Sequence, residues 1–482
     1  MNSDEIKSDF LKRVKAIKTT RWVRFGLVAA IFIAWVIWLG NYWPLLALIL
    51  LFDIYITGYI PLTWWKKSDN KVVKSVMSWV DAILYALILV YFIFAFVGQN
   101  YMIPSSSLEK TLLTGDYLWV NKMVYGPRVP MTPVHFPLVH NKLPILGCDS
   151  YLDSPSLAYH RLKGLRSVES GDIVVFNFPA GDTVATNYEE SPEYYELLVK
   201  EYGRERVHTD KAKFGDVVYR PVDRRVNFVK RCVGLPGENF KIVNDTIYIN
   251  GVAQPMPESA QHNYIIALNS PLTEEQVKAL DITPSDLQMV TGDEQRATFA
   301  SLLGVAPTNW YYAVPLTDRM LSVLESNGQL AGKVKFNDIW LLGQGSMYPT
   351  GMGDSWTVSN WGGENGVVIP KKGMRVRLNK AAWELYGRCI RNYENHPEAY
   401  FADGKAYIDG KEAETYTFGM DYYFMMGDNR DNSQDSRFWG FVPEDHVVGT
   451  PMFVLTSFDK DRSIFDGGIR WNRTFKDANP DK

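Results

Sequence analysis

Three apolar segments, about Trp22 to Leu39, Trp43 to Ile60 and Met77 to Val97, constrain this chain more than any other feature. A bilayer-crossing helix needs ~20 predominantly apolar residues, and within lipid only a helix or a closed barrel satisfies its own backbone. The N-terminal part is therefore predicted to form transmembrane helices. The first segment does not read as a cleaved leader, because no small-residue cleavage site follows it before the next span. Lys12, Arg13, Lys15, Lys18, Arg21 and Arg24 crowd the first segment, and Lys66, Lys67, Lys71 and Lys74 lie between the second and third. The positive-inside rule puts both groups on the cytoplasmic side and everything after Val97 outside. Asp53 is costly in an apolar run unless it faces other helices, so the second segment reads as partly re-entrant. The expected order is a basic tail over 1–24, then a membrane region over 22–97. Its spans are 22–39, 43–60 and 77–97, with a cytoplasmic loop over 61–76.

Composition excludes several classes. Lys and Arg number 51 against 54 Asp and Glu, a net charge of -3, which argues against a nucleic-acid binder. Cys148, Cys232 and Cys389 are far apart and make neither a zinc site nor a disulfide framework. None of the 7 histidines has metal-ligand spacing, which weakens a metalloprotease or Ser-His-Asp reading; no metal or cofactor is expected. Aromatic content of 14%, with 15 tryptophans, suits interfacial belts added to a globular core.

Three later stretches carry chemistry. Gly427 to Phe441 reads G-D-N-R-D-N-S-Q-D-S-R-F-W-G-F, too polar for an ordinary strand or helix. Turn-forming residues fit a plain surface loop, but this one is fed by the apolar run Tyr422 to Met426 and followed by Phe438-Trp439-Gly440-Phe441. A loop clamped between apolar anchors is held still, as an active-site wall must be. Upstream, Lys230 interrupts a β-branched and aromatic run that begins at Asn227 and ends at Pro236-Gly237. Pointing inward, it is desolvated and its pKa falls, making it a general base near neutral pH. On an edge strand it would only discourage aggregation or snorkel to water. Third, Ile103-Pro104-Ser105-Ser106-Ser107 follows the last apolar segment and leaves through Thr111-Leu112-Leu113-Thr114-Gly115-Asp116. A flexible linker has no need of that lead or that exit.

Together these stretches resemble the serine, lysine and G-D-N-R boxes of type I signal peptidases, the bacterial leader peptidases of peptidase family S26, in the same order. Two departures stand in the serine box: Leu108 where the family usually has Met, and Lys110 where it often has Pro. The resemblance implies a membrane-bound serine endopeptidase that removes signal peptides from secreted preproteins, cutting after small residues of A-x-A type. It would act at the outer, periplasmic side of the bacterial cytoplasmic membrane. It implies Ser107 as nucleophile and Lys230 as base, with the Ser107 N–H and the Ser105 hydroxyl forming the oxyanion hole. Ser433 would bond and orient Lys230, while Asp435 and Arg437 pair to brace the loop. Tyr101, Ile103, Leu108, Leu112, Phe228 and Val229 would line pockets for small side chains. Implied partners are secretory preproteins, the lipid bilayer and the secretion translocon. About ten residues separate Val97 from Ser107, so at ~3.3 Å each the nucleophile stands within ~33 Å of the membrane surface. Two other classes stay open: a self-cleaving Ser/Lys peptidase, and a catalytically silent membrane-anchored binding module.

The region after Val97 is too long for one minimal β core. Strand patterns fall at Asp172 to Phe178, Asp216 to Tyr219, Phe228 to Val233 and Tyr422 to Met426, with hairpin turns at Asn250-Gly251 and Asp409-Gly410. Helices are expected at 193–202, Thr273 to Leu280, Thr317 to Ser326 and Ala381 to Tyr393. The predicted fold is membrane-anchored and mainly β: a signal-peptidase-like catalytic core over 98–240, with an insertion at 181–213, and 421–482. A mixed α/β cap over 241–420 interrupts it. Within the cap, Gly345-Ser346-Met347-Tyr348-Pro349-Thr350 mimics a serine box. It follows the lysine, lacks the Leu-Leu-x-Gly-Asp exit and sits in Gly-rich loop sequence, so Ser346 is not expected to react.

Overall fold

The computed structural model describes residues 17–480 other than 41, 181, 189–193, 284–285, 350–355, 460–461 and 464–466. Lys12, Arg13, Lys15, Glu193 and Thr350, which entered the sequence reading, lie outside the described residues. Two compact units emerge: the residues up to Val97 with Gly126–Gly164, and Gly98–Tyr125 with Leu165–Lys482.

In the first unit, helices α1 (Thr19–Leu39) and α3 (Lys71–Val97), of mean hydropathy 2.1 and 2.5, are the two among the described residues long and apolar enough to cross a membrane. Between them α2 (Trp43–Thr57) is shorter. It tightens at its start, where Pro44 occupies the first turn, and widens into a π turn at Asp53–Thr57. The Asp53 carboxylate accepts from the Thr57 hydroxyl and from the backbone N–H of Tyr59 (2.7 Å) and Ile60 (3.0 Å). The acid in the apolar run thus caps its own segment. Phe52, near the end of α2, packs on Phe25 of α1 at 5.4 Å, so α2 runs back along α1. Asn70 caps α3 by accepting from the Val72 N–H at 2.9 Å.

The second unit is mainly β. Seven strands, β1 (Gly98–Met102), β2 (Asp116–Asn121), β3 (Ile173–Asn177), β4 (Asn227–Gly234), β5 (Tyr422–Met426), β6 (Val442–Pro443) and β7 (Val447–Ser457), form one sheet in the order β1-β2-β7-β3-β4-β5-β6. Every neighbouring pair is antiparallel. Side chains alternate faces along a strand. On β3, accordingly, Ile173 and Val175 pack with Leu108, Leu112, Leu118 and Val454, while Val174 and Phe176 pack with Cys232, Met425 and Trp439. Burial on both faces is why the β3 sequence reads as a continuous apolar run.

Between β4 and β5 the chain builds further small sheets. One has four strands, ordered Gln288–Met289, Trp310–Thr317, Gln261–Leu268, Leu330–Lys335. The helix Glu274–Ala279 starts at a capping box of Thr273 with Gln276, as its sequence indicates. Asn250-Gly251 and Asp409-Gly410 turn with positive φ at both residues (51° and 82°, 51° and 74°), the hairpin geometry such pairs favour.

Candidate active site

The serine box is held at both ends. The Ile103 N–H donates to the Asp116 carbonyl and its own carbonyl accepts from Gly115, both at 2.9 Å. Gly115 has φ 90°, and a Cβ there would run into the Phe458 carbonyl, so the turn requires glycine. Leu108 and Leu112, 1% and 0% exposed, anchor the short turn after the serine in the core. Arg473 pairs with Asp116 at 2.5 Å and donates to the Thr111 carbonyl at 3.1 Å, closing the exit.

Ser107 faces Lys230. The lysine sits mid-strand on β4, opposite Val174 of β3, with its amine 2.5 Å from the Ser107 hydroxyl oxygen. Ser107 is 7% exposed and Lys230 4%. Burial drives the lysine pKa down to about 8; Asp435 and Asp428 pull it up, and Arg437 pushes it further down. At neutral pH an appreciable fraction of the amine is unprotonated and able to accept the serine proton. A hydroxyl and a partly unprotonated amine in hydrogen-bond contact is an arrangement that can serve as nucleophile and base.

The G-D-N-R loop braces both. Asn429 donates its backbone N–H to the Ser107 carbonyl (3.1 Å) and its side-chain amide to the Ser106 carbonyl (3.2 Å). Gly427 permits that approach: a Cβ on it would lie 2.5 Å from the Ser107 carbonyl oxygen and closer still to the Ser433 hydroxyl. Asp428 receives Arg231 in a two-pronged pair (2.8 and 2.7 Å), the Thr111 hydroxyl at 2.7 Å and the Ser259 hydroxyl at 3.2 Å. Burial opposes ionisation of Asp428, but Arg231 and Thr111 outweigh it and hold the carboxyl below its ordinary range. Asp435 likewise pairs with Arg437 at 2.8 Å, and the Arg437 guanidinium reaches the carbonyls of Arg430 (2.6 Å) and Val358 (3.0 Å).

A groove of about 350 Å³ opens onto the pair, and Ser105, Tyr101, Ile103, Phe228 and Val229 all line it. Leu108 and Leu112 are a correction: they do not line the groove, because the turn after Ser107 drives both into the core between β2 and β3. Leu118, Val175, Asn227, Asn432 and Gln434 do line it and were missed. Ser433 is a second correction. Its hydroxyl is buried beside Gly427 and makes no hydrogen bond to Lys230, whose amine is taken by Ser107. Asp428, Asn429, Arg231 and Thr111 were given no role from sequence, although Arg231 adjoins Lys230 and both loop residues stand inside the G-D-N-R box. Ser346 donates to the Gly343 carbonyl at 2.9 Å, with Met347 and Tyr348 buried behind it. Among the described residues no cluster of His, Cys, Asp or Glu is arranged to hold a metal.

The chain belongs to a peptidase family: a family model described as signal peptidase, peptidase S26, matches residues 76–301 and 368–456, well over half the chain. It is an enzyme of the serine hydrolase type. Signal peptidase I of Buchnera aphidicola subsp. Baizongia pistaciae is 22% identical over 387 residues, 80% of this chain and 79% of that protein. Signal peptidase I of Aquifex aeolicus is 64% identical over 36 residues, 8% of this chain and 14% of the relative. That of Buchnera aphidicola subsp. Acyrthosiphon pisum is 61% identical over 51 residues, 11% and 16% of the two chains.

Proposed function

We propose that this enzyme is a membrane-anchored signal peptidase that removes signal peptides from secreted preproteins, with Ser107 as nucleophile and Lys230 as general base. The observation that carries the proposal is the sealed lysine amine 2.5 Å from the Ser107 hydroxyl. Neutral Lys230 takes the serine proton as Oγ attacks the scissile carbonyl. The tetrahedral oxyanion is met by the Ser107 N–H and the Ser105 hydroxyl. As the intermediate collapses to an acyl-enzyme, Lys230 returns that proton to the departing amine of the mature protein, and the lysine, neutral again, deprotonates the water that hydrolyses the acyl-enzyme. The apolar floor of the groove, with Ile103, Val175 and Phe228, favours small side chains in a substrate held as an extended strand.

Anchoring rests on α1 and α3, which would keep the pair at the bilayer from which a precursor's cleavage site emerges, on the outer face of the cytoplasmic membrane. The test is to incubate the detergent-solubilised chain with a secretory precursor and sequence the new N-terminus. Cleavage immediately after an A-x-A-like site, lost in Ser107→Ala, is the expected result. A precursor left intact while the chain cuts only itself would overturn the reading in favour of a self-cleaving peptidase.

A further inference from the structure

The excursion between Tyr125 and Leu165 belongs with the helices, not with the sheet it interrupts. It is an ordered two-legged hairpin. Backbone bonds tie its legs from base to tip: Leu162 to Pro127 (3.0 Å), Val129 to His160 (2.9 Å), Leu157 to Met131 (2.9 Å), Leu152 to Val134 (3.0 Å), Phe136 to Ser150 (2.7 Å) and Leu143 to Cys148 (2.9 Å). The tip is the turn Pro144-Ile145-Leu146-Gly147, where Ile145 is 96% and Leu146 74% exposed. A hairpin so well bonded has no folding reason to present two large apolar side chains at its tip so fully to water.

Its direction says what covers them. At the base, Val129 and Leu162 pack with Leu39, Trp35 and Phe96, at the C-terminal ends of α1 and α3. Further along the leg, the Pro133 carbonyl accepts from the Tyr91 hydroxyl (2.8 Å) and the His135 ring packs on Tyr91 at 4.9 Å. Going from base to mid-leg, the contact therefore retreats from Phe96 to Tyr91, about 7 Å back along α3 at ~1.5 Å per residue. The hairpin folds back toward the apolar length of the helix. Arg21, Arg24, Lys71 and Lys74 lie at the opposite ends of α1 and α3, so the hairpin sits at the end away from the basic residues.

We infer that the Pro144–Gly147 tip seats in the lipid interface beside α3, inserting Ile145 and Leu146 at the headgroup and acyl boundary. Backbone polar groups exposed to lipid are excluded from the hydrocarbon core, so the tip stops at the interface. Lys142 and Asp149, bridged across the legs, flank it at headgroup level. This rests on the membrane anchoring proposed above. Cys148 adjoins the tip and is exposed, while Cys232 and Cys389 are buried, so the full-length chain carries its own labelling site. A nitroxide on Cys148 is measured in phosphatidylglycerol/phosphatidylethanolamine vesicles for relaxation by oxygen and by an aqueous nickel chelate. A second sample carries the label on Leu84→Cys, in the middle of α3, in a Cys148→Ser background. The expected result is nickel accessibility at Cys148 several-fold below that in Ile145→Asp/Leu146→Asp, with peptide cleavage equal in both. If the Leu84 label is in lipid while the Cys148 label is as open to nickel in the native chain as in the double variant, the hairpin proposal falls and anchoring stands. If the Leu84 label is also aqueous, anchoring itself falls.

Discussion

A lysine amine 2.5 Å from a serine hydroxyl and 4% exposed carries its charge at a cost, and that cost fixes how the enzyme responds to pH. Its pKa is lowered to about 8, so below that value the amine is mostly protonated and cannot accept the serine proton. Peptide kcat/KM should rise roughly tenfold per pH unit up to about pH 8 and then level, a profile read with a fluorogenic peptide; a flat profile between pH 6 and 9 would remove Lys230 as base. Ser107→Ala and Lys230→Ala should each lower turnover on the order of 10⁴-fold or more, with the double variant no worse, whereas Ser346→Ala should match the parent. Gly427→Ala should cost activity as well, because its Cβ meets the Ser107 carbonyl at 2.5 Å. That Ser107 and Lys230 would meet was legible in sequence because their boxes impose unusual residues: a lysine inside a β-branched run, and serines beside an Ile-Pro lead. The Ser433 hydroxyl and the inward turn of Leu108 were not. Each depends on a contact between segments, Gly427 against the serine loop and Leu112 against β3, that a linear motif does not encode.

Among the elements, the strand Gln261–Leu268 does more than build its own sheet. Its Gln261 N–H donates to the Asp428 carbonyl and its Gln261 carbonyl accepts from Arg430, both at 3.0 Å, while the Asn263 N–H donates to the Asp431 carboxylate at 2.7 Å. The region between β4 and β5 thereby supplies a strand partner to the loop that holds Ser107. Gln261→Pro deletes one of these donors and should lower kcat about tenfold with little change in KM, as measured on a peptide; an unchanged kcat would show the strand to be mere cover. Lys110 belongs to the same contact. Its φ is 75°, closed to proline, and its amine donates to the Asp281 carbonyl. Lys110→Pro should therefore destabilise by more than about 1 kcal/mol in thermal unfolding, and by more than Lys110→Met does. Elements with a chemical start signal were readable: Thr273 and Thr317 both cap helices. The helix Asp293–Leu303 was missed because Gly292 precedes it and gives no side-chain cap. The second apolar segment looked long enough to span, but the Asp53 cap and Gly58, at φ 55°, end its helix at Thr57.

At the scale of the molecule, the chain alternates between its two units at Val97–Gly98, Tyr125–Gly126 and Gly164–Leu165, so removing the anchor takes more than trimming the N-terminus. A chain beginning at Gly98 keeps the hairpin but strips Leu39, Trp35 and Phe96 from Val129 and Leu162, which are each 4% exposed in the full protein. It should aggregate. The sheet unit offers a better cut, because the Leu165 N–H donates to the Val124 carbonyl at 2.9 Å and the Arg166 N–H to the same oxygen at 3.0 Å. The two ends of the excised segment thus lie against each other, and a short Gly-Gly link closes them at little entropic cost. Beginning at Gly98 with 126–164 replaced by that link, the chain retains all seven strands, Ser107, Lys230 and the bracing loop. It should be soluble, unfold cooperatively and cut a short peptide within a few-fold of the full-length enzyme, since every contact at the scissile bond is kept. Precursors embedded in vesicles should be processed far more slowly, because a tether raises the effective concentration at the surface without adding a contact at the bond. Equal precursor rates for the excised and full-length forms in lipid would reduce the helices to a retention device. Loss of peptide cleavage in the soluble, folded variant would instead mean that the helical unit completes the active site.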